Sequence, residues 1–251
     1  MANHKILITL AAVLATTALH GAVLLEADFD NGTVSPLTTA GVTSNNTITV
    51  TDQNSATYFG TAGDNYLAFN KTVANTMLFK GVGTAGDATS LVALSFDLNM
   101  SSGLFTLEMF TTAGTGATER VSTFRFSDTG VFNGTGSSHW AANEKVTLTL
   151  VMNNATSAVN YNLNGTPSTL ASGKYDVYLN GTLVLASTNV TTNTSAGNGL
   201  AVNAFQVVAY STTLASGKFD NISLATVPEP STAGYLGVGV GLLAALYRAR
   251  K

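Results

Sequence analysis

The sequence predicts an all-β protein built as an antiparallel β-sandwich, and three observations carry that prediction. Thr, Asn and Gly are abundant, at 38, 22 and 24 of 251 residues, a composition that favours strands and tight turns over helices. About a dozen short apolar or alternating runs follow one another, separated by Gly, Asn, Asp and Thr. Within those runs the side chains alternate. In VTLTLVM, Val146, Leu148 and Leu150 fall on one face while Thr147 and Thr149 fall on the other, the period of two that marks half-buried antiparallel strands. Between residues 23 and 227 no window shows a helical period. A sandwich or jelly roll follows, placed as one domain over 23–226 between an N-terminal signal helix, 1–22, and a C-terminal segment, 227–251, with a single transmembrane helix.

In chain order, strands are expected at 23–29, 47–50, 66–70, 76–80, 91–99, 104–111, 121–127, 145–152, 158–163, 174–180, 182–186, 204–211 and 218–224. Asn180-Gly181 stands between two β-rich runs, the strongest short hairpin signal, because both turn residues take positive φ. Asp128-Thr129-Gly130 plays a similar part, whereas the polar stretch Asn164-Gly165-Thr166-Pro167 reads as a loop. Ala-Ser-Gly-Lys occurs at 171–174 and again at 215–218, each time ahead of a strand.

Composition excludes several kinds of chemistry. Lys and Arg total 11 against 14 acids, so no basic field exists to neutralise phosphates and no nucleic-acid partner is expected. The absence of Cys removes disulfides, thiolate nucleophiles and Cys-ligated metals together.

The two ends differ from the middle. Residues 1–22 have a polar start with Lys5, an apolar run from Ile6 to Leu14 and a fade into small residues, the layout of a secretory signal peptide. Cleavage after Ala22 is preferred to cleavage after Ala18, because VLLEADFD follows directly as a first strand. A buried N-terminal helix is the alternative. At the other end, Pro228-Glu229-Pro230 cannot continue a helix or a central strand. Residues 233–247 carry no charge and rise about 22 Å as a helix, which with snorkelling flanks makes a marginal membrane span. The span is placed at 231–247. Arg248, Arg250 and Lys251 then hold the terminus on the cytoplasmic side.

This tail resembles the PEP-CTERM sorting signal of exported bacterial proteins. The resemblance rests on Pro228, Glu229 and Pro230, the Gly-rich apolar segment, and the basic cluster Arg248, Arg250 and Lys251. It implies an exosortase-like processing enzyme as partner, transient residence in the inner membrane, and release to the cell surface or extracellular matrix of a Gram-negative bacterium. An ordinary membrane anchor is the other reading of the same residues. In the middle region, Lys174-Tyr175-Asp176-Val177-Tyr178-Leu179-Asn180-Gly181 as a central hairpin resembles the concanavalin A-like or laminin-G-like jelly roll. So does Phe219-Asp220-Asn221-Ile222-Ser223-Leu224 as a closing strand near the first. That resemblance implies a domain of a kind that often binds glycans.

Candidate chemistry is sparse. Paired carboxylates would be needed for glycoside hydrolysis, yet LFTLEMF offers Glu108 alone, read as a solvent-facing strand residue. Asp97 and Asp128 are the other acids that a secreted glycan-active enzyme, the alternative function, would draw on. His139, the one histidine outside the N-terminal segment, adjoins the single Trp, Trp140. The pair is a candidate ligand platform, with burial of Trp140 in the core as the competing reading. No cofactor is expected. A structural calcium is the one metal considered, at Glu26, Asp28 and Asp30 with Asp220, since hard oxygen ligands suit it. The expected role is a non-enzymatic surface or matrix protein that presents a β-sandwich to polysaccharide.

Overall fold

The computed structural model describes residues 21–52, 59, 64–87, 89–111, 118–134, 136–163, 165–189 and 199–227. The signal segment up to residue 20 and the tail from Pro228 onward lie outside them. Fourteen strands run through the described residues: β1 (Val23–Ala27), β2 (Thr38–Ala40), β3 (Asn46–Asp52), β4 (Asn65–Lys71), β5 (Met77–Val82), β6 (Leu91–Phe110), β7 (Arg120–Ser127), β8 (Lys145–Asn153), β9 (Val159–Leu163), β10 (Thr166–Leu170), β11 (Lys174–Leu179), β12 (Thr182–Asn189), β13 (Ala204–Ala209) and β14 (Ala215–Thr226). Every pairing is antiparallel.

Alternation along each strand decides which face it buries, and two sheets result. The first runs β3-β4-β14-β6-β8-β11-β12, with β1 beside the end of β14. The second runs β2-β5-β13-β6-β7. They share β6, whose residues 91–99 pair with β8 in the first sheet while 104–110 pair with β7 in the second. The change of sheet is made at Gly103. Its φ is +91°, and a Cβ there would stand 2.1 Å from the Leu214 carbonyl oxygen, so only glycine fits the corner. The sequence pattern gives two strands, 91–99 and 104–111; the structure joins them into one bent strand, the device by which sheets meet at corners.

One hydrophobic core fills the space between the sheets. Phe219 of β14 meets Phe79 of β5 at 5.0 Å between ring centroids and Phe105 of β6 at 5.3 Å, both edge to face. Along β6, Val92, Leu94, Phe96, Leu98 and Met100 point inward from the first sheet, and Phe105, Leu107 and Met109 from the second. The intervening residues, Asp97 and Glu108 among them, therefore lie on opposite outer faces of the sandwich.

The hairpin β9–β10 is a correction to the loop expected at Asn164–Pro167: Thr166 and Pro167 open a strand paired with Leu163 and Asn162. The hairpin covers part of the first sheet's outer face, forming a second cluster with Leu91, Val151, Tyr161, Leu170, Tyr178 and Val227. Asp176 anchors it, accepting from the Tyr161 hydroxyl at 2.6 Å and from the Ser187 backbone N–H at 2.6 Å. The Asn180-Gly181 turn forms as expected, with φ of 49° and 78°. Among the described residues no helix is long and apolar enough to cross a membrane.

Candidate functional site

The outer face of the second sheet carries a row of polar side chains set by strand register. Glu108 on β6 stands between Thr123 on β7 and Gln206 on β13, and Lys80 on β5 lies beyond Gln206. Glu108 is only 2% exposed, which overturns its reading as a solvent-facing residue. Burial of a carboxylate is tolerable only with partners, and three converge on it. Arg120 Nη1 donates to Oε1 at 2.6 Å, the Tyr210 hydroxyl donates to Oε1 at 2.5 Å, and the Gln206 amide donates to Oε2.

Tyr210 follows directly on β13 and is the one exposed Phe, Tyr or Trp among the described residues. Its hydroxyl is pushed up to about 12 by burial and by the neighbouring Glu108, so it stays a donor at any ordinary pH. The result is a part-exposed aromatic side chain pinned at its far end. Arg120 Nε is buried without a partner, a spare donor beside the same carboxylate. None of Arg120, Gln206 or Tyr210 stands out in the sequence. The one available signal was Gln206 itself, a polar residue inside the apolar run AFQVVA, where a strand buried on both faces would need a partner for it.

A second acidic group occupies the opposite outer face. Asp220 on β14 faces Asp97 on β6 and is fully buried. Burial pushes its carboxyl up to about 7; the Asn221 backbone N–H, donating at 2.8 Å, opposes this, while Asp64, Asp97 and Asp30 add to it. Asp64 is raised as well, by burial and by its hydrogen bond with Asp30. Asp97 accepts from the Thr147 hydroxyl at 2.5 Å, and Lys145 stands 3.7 Å away.

Of the four residues considered for calcium, the structure brings Asp28, Asp30 and Asp220 toward this corner, with Asp64 and Asp97 added. Glu26 instead sits exposed on β1 opposite Ser223. Among the described residues no group of three acids or histidines is placed to hold a metal ion. Asp128 lies in the turn after β7. Asp97, Glu108 and Asp128 are thus not assembled into one site.

His139 and Trp140 part company. Trp140 is 5% exposed, seated over Gly130 and edge to face with Phe132 at 5.6 Å. Its ring is inside and offers no face to a ligand. His139 is exposed and stacks on Phe132 at 4.7 Å. Pro228, Glu229, Pro230, Arg248, Arg250 and Lys251 lie outside the described residues.

Fold and sequence together define an antiparallel β-sandwich whose last strand runs directly into a sorting tail. Residues 226–251 match the PEP-CTERM protein-sorting motif, and this chain carries that motif. No curated protein matches the chain. Among solved structures, it is similar in shape to a protein of unknown function with a galectin-like fold from Bacillus subtilis, at 10% identity and a TM-score of 0.49, over 84% of this chain and 98% of that one. It is also similar to the CBM22-1 xylan-binding domain from Paenibacillus barcinonensis, at 13% identity and a TM-score of 0.36, over 83% and 96%. A third is TmCBM61 in complex with β-1,4-galactotriose, at 10% identity and a TM-score of 0.36, over 79% and 94%.

Proposed function

We propose that this chain is an exported, non-enzymatic bacterial surface or matrix protein that binds polysaccharide through the outer face of its second sheet. The tail is first anchored in the inner membrane and then removed near Pro228-Glu229-Pro230 by an exosortase-like enzyme. The sorting motif at 226–251 supports the export and processing half of this reading. Tyr210 carries the binding half. Its ring is exposed while its hydroxyl is tied to Glu108, which fixes a flat apolar surface of the kind that stacks on a sugar ring without loss of rotamer freedom on binding. Arg120 and Thr123, both part-exposed, lie beside it on the same face and supply polar groups for the sugar hydroxyls. Asp97 and Glu108 stand on opposite faces, so these two acids do not form the pair that hydrolysis needs within about 5–10 Å.

The test uses protein released from cells. Intact-mass measurement is expected to find a chain ending near Pro228–Pro230 and beginning at Val23; a released chain ending at Lys251 refutes processing. Affinity electrophoresis in gels containing bacterial exopolysaccharide is expected to retard the wild type, and Tyr210→Ala is expected to abolish the retardation. Retardation unchanged in Tyr210→Ala removes this face as the binding site. Release of reducing sugar from the same polysaccharide would replace the binding role with an enzymatic one.

A further inference from the structure

The sorting motif begins inside the fold. It starts at Thr226, the last residue of β14, and both Thr226 and Val227 are held in place. The Thr226 N–H donates to the Ala22 carbonyl at 2.9 Å, and the Val227 N–H donates to the Leu91 carbonyl at 3.2 Å. The Val227 side chain is 8% exposed, in the cluster beneath β9–β10. No spacer separates this buried residue from Pro228.

An enzyme that cuts a peptide bond must take the chain on both sides of that bond as an extended segment. The bond that breaks leaves an acyl group on the domain, passed to water as a new carboxylate or to an amine as a new amide, and the tail departs with a free amine. The residues just before the cut must therefore enter the enzyme. With the cut near Pro228–Pro230, the stretch that must enter reaches back to Val227 and Thr226. Their N–H groups cannot serve Ala22 and Leu91 and the enzyme together, and Val227 cannot lie in the cluster and in a cleft at once.

We infer that Val227 is a positioning residue for tail removal: its docking withholds the cut, and processing waits on the opening of the end of β14. This rests on the processing reading above. It also links the two ends of the chain. A cut after Ala22 takes the Ala22 carbonyl away with the signal segment, so Thr226 loses its acceptor and Val227 becomes the remaining tie.

The test follows tail removal by pulse-chase of the full chain in a bacterium that carries an exosortase. A flexible Gly-Ser spacer of about six residues between Val227 and Pro228, reaching about 13 Å on average, lets the enzyme work without opening the strand. It is expected to raise the rate about tenfold, the scale of one backbone hydrogen bond with part of a buried valine, while leaving Tm of the domain unchanged. Val227→Ser is expected to raise the rate several-fold, with a small fall in Tm. Val42→Ser, an exposed change elsewhere, is expected to alter neither. A spacer variant cut at the wild-type rate or more slowly overturns the inference while leaving processing intact. Absence of cutting in every variant, the spacer included, overturns the processing reading and this inference with it.

Discussion

Glu108 and Asp220 lie on opposite outer faces of the sandwich, both carboxylates and both buried. The structure deals with the two charges differently. Glu108 has the Arg120 guanidinium at 2.6 Å and two further donors, Tyr210 and Gln206. Asp220 has bonds from one residue, Asn221, and three other carboxylates in its field. One charge is matched by partners; the other is pushed toward its protonated form by burial and neighbouring carboxylates. The first arrangement fixes the carboxylate with three donors from three residues, which suits a surface that presents a held aromatic ring. The second makes its corner of the fold sensitive to pH.

Breaking the match at Glu108 is expected to have the largest effect. Arg120→Ala strips a buried carboxylate of its cation, a change that costs about 3–5 kcal/mol when a buried pair loses one member. Urea denaturation at pH 7 measures it. A loss under about 1 kcal/mol, typical of surface pairs, would mean that Tyr210 and Gln206 suffice.

Asp220→Asn addresses the other side. With a folded value of about 7 against an ordinary 3.8, Asp220 holds a proton in the folded state that the unfolded chain gives up between those limits. Its contribution to stability is therefore present at low pH and falls as pH rises from about 4 to about 7, then levels off. The asparagine variant removes that slope and is expected to be more stable than wild type at pH 8, by an amount on the order of a few kcal/mol. Parallel melts of the two proteins from pH 4 to 8 decide it. Curves that remain parallel across this window would show that Asp220 does not carry the proton.

Tyr210→Phe keeps the ring and deletes one of the three donors to Glu108. A loss of about 1 kcal/mol is expected, because the group is part-exposed and two donors remain. Polysaccharide affinity should fall less than in Tyr210→Ala. The smallest effect expected is that of calcium. Millimolar calcium or a chelator should leave Tm unmoved, since Lys145 already supplies a cation beside Asp97; a rise of several degrees on adding calcium would reassign the corner as a metal site.

What the sequence made legible was local. Alternation in VTLTLVM placed β8, and Asn180-Gly181 placed a hairpin turn, because each signal lies within a few consecutive residues. β10 escaped because TPSTL contains a proline and exposes most of its side chains, so burial by β9 and Leu170 alone defines it. The bend at Gly103 was invisible, since its cause is a carbonyl at Leu214, far along the chain. The same holds for the candidate site. Glu108 read as a lone acid because its partners arrive from β7, from within β13 and from the residue just past its end, and only pairing of β6 with both neighbours brings them to it. Trp140 shows the converse, since a single residue type carried both readings and Gly130 decided between them by leaving room for the indole.

β14 lies within its sheet, with β6 along one side and β4, then β1, along the other. A tension applied at Val227 and directed away from the domain runs along this strand. The hydrogen bonds on its two flanks stand across the line of pull, so they share the load and must fail in concert, not one after another as at a peeled edge. A domain pulled through its last strand is in this respect loaded in shear, along the strongest direction of the sheet.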